Sequence, residues 1–187
     1  YEFNGNLADT SGHGFDALLV GDGSPSFGPS LHGEGLKIHS WEDGINWDAH
    51  KSLLHAPFTF EFVFTSDNVY NAQKIFSHDD DSDFGLYVYS DNILDSPRGS
   101  PARVATLAAH ANHSAAIVVK ENTLFDYYLD GVYFGEGPTS FNYVEEPANA
   151  RFFSDDSYGW FRAPSRTQSF TDGVIDSMRI SSGARNA

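Results

Sequence analysis

The run Phe58-Thr59-Phe60-Glu61-Phe62-Val63-Phe64 alternates without a break, with four phenylalanines to one side and Thr59, Glu61 and Val63 to the other. Period-two alternation sends successive side chains to opposite faces of a strand, so this run predicts a strand with one face in a core. The signal recurs along the chain. Phe84 to Tyr89 sets Phe84, Leu86 and Val88 on one face and Tyr87 and Tyr89 on the other, and Ala115 to Val119 is a short, largely β-branched run. Phe125 to Leu129 alternates up to Asp130-Gly131, and Val132 to Phe134 answers it across that turn, which predicts a hairpin. Gly, Asp, Asn, Ser and Pro fill the gaps at short intervals. No window of about eleven residues keeps a helical period; Ala102 to Ala109, rich in small residues, reads equally well as a strand. These patterns predict an all-β sandwich of two antiparallel sheets. At 187 residues the chain is expected to form one domain, residues 1–187.

The last strand-like run, Gly173 to Ile180, carries a charge. With period two, Val174, Asp176, Met178 and Ile180 share one face and Ile175, Ser177 and Arg179 the other. A carboxylate in line with core residues must be paired, hydrogen-bonded or metal-bound, because burying it alone is too costly. At the other end, Asn4 to Gly14 is dense in oxygen ligands and turn-forming residues. We therefore expect the chain ends to meet around a calcium ion, which takes six to eight hard oxygens. Asp9 and Asp176 supply the charge in this reading. Carbonyl or side-chain oxygens of Asn4, Asn6, Ser11 and Gly14 complete the shell, the glycines letting the backbone turn inward. The alternative is that Asp9 caps a turn and Asp176 accepts backbone N–H bonds.

Charge narrows the partners. Eleven basic against 26 acidic residues give a net charge of −15, which leaves nothing to displace counterions from nucleic acid. Neutral glycans, cations or plain solubility are compatible with such a surface. There is no cysteine, hence no disulfide or thiolate metal site. No apolar run reaches about 18 residues, so no membrane insertion is expected. The opening at Tyr1 suggests a processed chain or, preferably, a domain of a larger protein.

Three segments, in order, carry a family resemblance: YEFNGNLADTSGHGFDALLVG at the start, FDYYLDGVYFGEG near position 130, and DGVIDSMRISSGAR at the end. They resemble the opening strand and loop, the Asp-Gly hairpin and the closing strand of the laminin-G-like, concanavalin A-like jelly-roll family of bacterial surface proteins. FTFEFVF and HSAAIVVKENT fall where that family has inner strands. The resemblance implies a jelly roll that often holds one structural calcium between opening loop and closing strand, where Asp9 and Asp176 match by position. It is weakly informative for function, because the fold carries lectins, adhesion modules, hydrolases and lyases.

Aromatic side chains are the clue to a ligand, since a sugar ring has an apolar face that stacks on flat rings and a polar rim. Trp41 and Trp47 bracket acidic and amide groups, and Asp155, Tyr158 and Trp160 sit together in an expected long loop. Tyr87 and Tyr89 would line an open sheet face beside Glu61. The competing reading is core packing, favoured for Trp47. The acidic cluster His78 to Asp83 lacks the Gly and distal Glu of an EF-hand loop and reads as a solvated hairpin loop. The eight histidines form no HExxH motif; scattered, satisfied or exposed side chains are expected, His110 and His113 included. Asn112-His113-Ser114 matches a glycosylation sequon.

Catalysis finds little support. No Glu-x-Asp-x-Glu run of the related glycoside hydrolases is present, and the adjacent Glu145 and Glu146 would face opposite ways on a strand. The family's lyase motifs and a Gly-x-Ser-x-Gly elbow are also missing. The expected role is a non-catalytic, extracellular or cell-surface module of a larger secreted bacterial protein, binding a glycan or cell-surface polysaccharide, with a structural calcium. An adhesive module that contacts another protein, or a glycan-cleaving enzyme, is the alternative.

Overall fold

The computed structural model describes residues 1–21, 23–40, 43–55, 57–67, 73–77, 85–89, 92–95, 107–120, 124–138, 150–154 and 172–183. Among them the strands are β1 (Leu18–Leu19), β2 (Phe27–Ser30), β3 (Gly33–Ile38), β4 (Ile45–Asn46), β5 (Phe58–Ser66), β6 (Gln73–Ser77), β7 (Gly85–Tyr89), β8 (Asn92–Asp95), β9 (Asn112–Val119), β10 (Leu124–Leu129), β11 (Val132–Pro138), β12 (Arg151–Phe152) and β13 (Gly173–Ser182). One short 3-10 helix, Asp48–Leu53, follows β4. The strands form two antiparallel sheets, ordered β1-β4-β12-β6-β7-β8 and β11-β10-β9-β5-β13-β3-β2. This is the all-β sandwich expected of the alternating pattern.

β5 lies in the middle of the seven-stranded sheet, between β9 and β13. Its four phenylalanines are buried and meet rings from the other sheet: Phe60 lies 4.7 Å from Phe152, and Phe62 lies 5.4 Å from Phe153. Burying a phenylalanine side chain is worth about 1.5–3 kcal/mol, so this row is a large share of what holds the sheets together. Trp47, assigned to the core from its context, is there, 3% exposed and edge-on to Phe152. The Asp130-Gly131 turn joins β10 to β11 with Leu129 opposite Val132. Both turn residues have positive φ, 50° and 75°, as a type I′ hairpin requires, and an Asp-Gly pair adopts that at low cost.

β13 departs from plain alternation. Its register against β5 shifts between Ile175 and Ser177, so Asp176 is an extra residue, a β-bulge. Ile175 and Met178 are both buried and Val174 is not. The expected common face of Val174, Asp176 and Met178 is therefore corrected: the bulge reverses the phase, and Val174 belongs with Ser177 and Arg179. A second correction concerns Tyr87 and Tyr89. They lie on β7 of the six-stranded sheet, whereas Glu61 lies on β5 of the other. The tyrosines and Glu61 therefore belong to different sheets and share no sheet face.

Candidate functional site

The outer face of the seven-stranded sheet carries a row of residues in direct cross-strand register. Tyr133 on β11 pairs with Tyr128 on β10, Tyr128 with Ala116 on β9, Ala116 with Glu61 on β5, and Glu61 with Arg179 on β13. Strands lie about 4.8 Å apart, so the row spans about 19 Å. A parallel row next to it consists of Ser114, Val63 and Ser177. Small side chains in the centre and large ones at the ends leave a trough. It is a cavity of about 800 Å³, floored by Val63, Ser114, Ala116 and Ser177 and closed at its ends by Tyr128 and Arg179. The rings of Tyr128 and Tyr133 are 5.3 Å apart, and Tyr133 is 53% exposed. At the other end, Arg179 Nε stands 3.9 Å from Glu61 Oε2. The trough thus pairs an aromatic end with a charged donor–acceptor end.

The N-terminal segment builds one wall, contributing Glu2, Asp9, Thr10 and Ser11. It is anchored where β3 stops pairing with β13, at Ile175. Beyond that point Tyr1 takes up the strand edge: its N–H donates to the Met178 carbonyl at 2.9 Å, and Met178 N–H donates back at 3.0 Å. The Tyr1 ring turns inward. Its hydroxyl donates to the Phe15 carbonyl and accepts from Trp47 Nε1 at 2.6 Å. Burial pushes the phenol up to about 12, against the opposing pull of the Trp47 hydrogen bond. The chain ends do meet, through main-chain hydrogen bonds between Tyr1 and Met178.

The two aspartates expected to bind calcium are engaged by separate donors. Asp9 Oδ1 accepts from Ser11 N–H at 2.8 Å, and Oδ2 accepts from His13 and Phe15 N–H, both at 3.1 Å. Ser11 and these backbone donors, outweighing burial, hold its carboxyl well below the usual range. Asp176, 5% exposed, reaches the two-residue turn between β2 and β3. Its Oδ1 accepts from Ser30 Oγ at 2.6 Å and His32 N–H at 2.8 Å, and Oδ2 lies 2.7 Å from His32 Nδ1. Burial opposes ionisation of Asp176, but Ser30 and His32 win and keep its carboxyl below the ordinary value.

The remaining expected ligands have their own partners. Asn4 Oδ1 accepts from Glu34 N–H, Asn6 Oδ1 from Ala8 N–H, and Ser11 Oγ bonds His13 Nδ1. Gly14 turns the loop at a φ of 76°. Asp16, not singled out beforehand, accepts from Asp9 N–H. Among the described residues no group of three or more His, Cys, Asp or Glu side chains is arranged to hold a metal ion. Among the described histidines, His110 pairs with Asp67, and His113 with Asp130 of the hairpin turn.

Of the expected ligand-binding residues, Trp41, Asp155, Tyr158 and Trp160 lie outside the described residues, as do the clusters His78 to Asp83 and Glu145-Glu146. Tyr128 and Tyr133 were not singled out. The alternation of Phe125 to Leu129 marks a strand but does not say which face looks outward. Of the face expected for Ile175, Ser177 and Arg179, the structure keeps Ser177 and Arg179 away from the core and buries Ile175.

No known protein family and no curated protein matches the chain. Solved structures do. Domain 4 of an extracellular arabinanase from Geobacillus stearothermophilus, solved with arabinotriose, is 17% identical over all of this chain and 92% of that one, with a TM-score of 0.75. Trypanosoma rangeli sialidase, solved with sialic acid, is 14% identical over 93% of this chain and 28% of its own, with a TM-score of 0.66. Botulinum neurotoxin type C, which interacts with two ganglioside molecules, is 11% identical over 99% of this chain and 47% of that one, with a TM-score of 0.63. The chain thus spans nearly the whole of the arabinanase domain but less than half of the other two. At these identities the likeness shows a shared β-sandwich fold.

Proposed function

We propose that this chain is a non-catalytic carbohydrate-binding module, and that the glycan lies across the strands of the seven-stranded sheet, from Tyr128 and Tyr133 to Glu61 and Arg179. The observation that carries this is the trough itself. Its aromatic end offers rings to the apolar face of a sugar. Its far end offers a guanidinium that donates and a carboxylate that accepts, the complement of hydroxyl groups. The trough spans about 14 Å from Tyr128 to Arg179, and about 19 Å with Tyr133 beside it, which suits an oligosaccharide rather than one sugar unit. The fold is also that of a domain solved with arabinotriose and of about a quarter of the chain of a sialidase solved with sialic acid. Asp9, tied to three backbone N–H groups, is not disposed as a general acid or base. Such ligands are met outside the cell, so we assign the module to an extracellular or cell-surface protein of which it is one part.

Calcium is not required in this reading. Asp9 and Asp176 act as hydrogen-bond acceptors that hold the loop and the bulge, because N–H and O–H donors converge on their oxygens.

The test is affinity electrophoresis through gels containing arabinan, galactan, β-glucan, mannan or xylan. At least one polymer is expected to retard the protein, and Tyr128→Ala to migrate freely with an unchanged melting temperature. Free migration on every polymer, or full retention by folded Tyr128→Ala, sinks the proposal.

A further inference from the structure

We propose that the trough selects uncharged glycans against acidic ones, and that Glu61 sets this selection; the inference rests on the carbohydrate-binding reading above. Arg179 would ordinarily mark an anion receptor, since a guanidinium matches a carboxylate in geometry and charge. Here it is placed directly opposite Glu61 in the β5–β13 register, with Nε 3.9 Å from Oε2. Among the described residues, the charged side chains lining the trough are Glu2, Asp9 and Glu61 against Arg179. A carboxylate on a uronic or sialic acid unit that approached Arg179 would come within a screening length of about 8 Å of Glu61. Its attraction to the cation is offset there, and the surplus acidic charge of the walls repels it.

A hydroxyl-bearing neutral unit meets no such opposition. One hydroxyl accepts from the guanidinium while its neighbour donates to the carboxylate. An exposed ion pair of this kind adds little to stability, so the pair is better explained by what it recognises than by what it holds together. Arg179 is 63% exposed in it. The wider charge of −15 acts in the same direction at longer range.

The experiment runs the parent chain, Glu61→Gln and Arg179→Gln through gels containing the neutral polymers above and through gels containing polygalacturonan, alginate or hyaluronan, at low and at physiological salt. The parent should be retarded by a neutral polymer and not by the acidic ones. Glu61→Gln should narrow that gap, gaining about threefold to tenfold on the acidic polymers, as expected for removing one unit charge several ångströms away in a solvent-rich site. Arg179→Gln, the second variant, should weaken neutral binding and leave the acidic polymers excluded. Retention of the parent on an acidic polymer as strong as on the neutral ones overturns the selection and leaves the glycan reading standing. An unchanged neutral-to-acidic ratio in Glu61→Gln removes Glu61 from the selection. Free migration of the parent on every polymer overturns both readings together.

Discussion

Tyr1 and Met178, at opposite ends of the chain, exchange two backbone hydrogen bonds, and the Tyr1 hydroxyl bonds Trp47 Nε1 beneath them. The wall of the trough hangs from this junction. In Tyr1→Phe the ring remains but Trp47 Nε1 and the Phe15 carbonyl lose their partner. Leaving a buried polar group unsatisfied costs about 1–3 kcal/mol. For a chain of this size that lowers the melting temperature by roughly 2–10 °C. Thermal unfolding followed by tryptophan fluorescence checks it; an unchanged midpoint refutes the role of the hydroxyl.

The same hydroxyl predicts an alkaline limb. Its folded pKa is raised to about 12, above an unfolded value of about 10. The folded state therefore keeps a proton that the unfolded chain releases, and the stabilising effect is complete below pH 10. It is lost as pH rises from about 10 towards 12. Tyr1→Phe should flatten this part of the stability–pH curve relative to the parent, measured by urea midpoints at successive pH values.

Asp176 predicts the opposite limb. Its folded pKa is depressed, so its contribution is present above the unfolded value of about 3.9 and is lost as pH falls through the lower folded value. Asp176→Ala removes the acceptor for Ser30 Oγ and His32 N–H at the β2–β3 turn, at a cost of about 1–3 kcal/mol. The variant should be less stable at pH 7 and should lose less than the parent on acidification below pH 4. Equal acid sensitivity of the two proteins contradicts the assignment.

How much of this could be read beforehand follows from what alternation encodes. The Phe58–Phe64 run and the Asp130-Gly131 hairpin were plain, because strand faces and I′ turns are written in local residue types. That the chain ends meet was expected from Asp176 and the Asn4 to Gly14 loop, but the structure joins them through Tyr1 and Met178, while Asp176 is held by Ser30 and His32. A bulge inserts one residue without altering composition, so the phase reversal at Asp176 leaves no local mark, and Val174 was set on the wrong face. The trough was invisible for a related reason. Tyr133, Tyr128, Ala116, Glu61 and Arg179 are aligned by pairing across five strands, and register between distant strands is a tertiary property. The same limit misplaced Tyr87 and Tyr89 beside Glu61.

Metal dependence separates the two accounts of Asp9. A calcium shared with Asp176 would stabilise the native state in proportion to its occupancy. Carboxylates that each already hold three hydrogen-bond contacts from separate parts of the chain are expected to gain little from the ion. Protein stripped with chelator should melt within a degree or so of protein in millimolar calcium, and magnesium should behave likewise. A rise of several degrees with calcium alone, abolished in Asp9→Asn, restores the shared site.

The last prediction concerns ligand length. Tyr128 and Arg179 are separated by three strand intervals, about 14 Å. If one glycan reaches both, a long oligosaccharide should feel Tyr128→Ala and Arg179→Ala independently. Substitutions farther apart than about 7–10 Å, with no shared partner, usually add within about 0.5 kcal/mol. The double variant should then lose the product of the two single fold-losses, measured by calorimetry with the best-bound neutral oligosaccharide from the gels. Shortening that oligosaccharide unit by unit should leave affinity sensitive to one end only, most simply to Tyr128, where stacking contributes without a charged partner. Sensitivity of the shortest ligand to both substitutions would mean that binding is centred elsewhere and that the row is not a continuous track. A long ligand indifferent to Arg179→Ala would end the trough at Glu61.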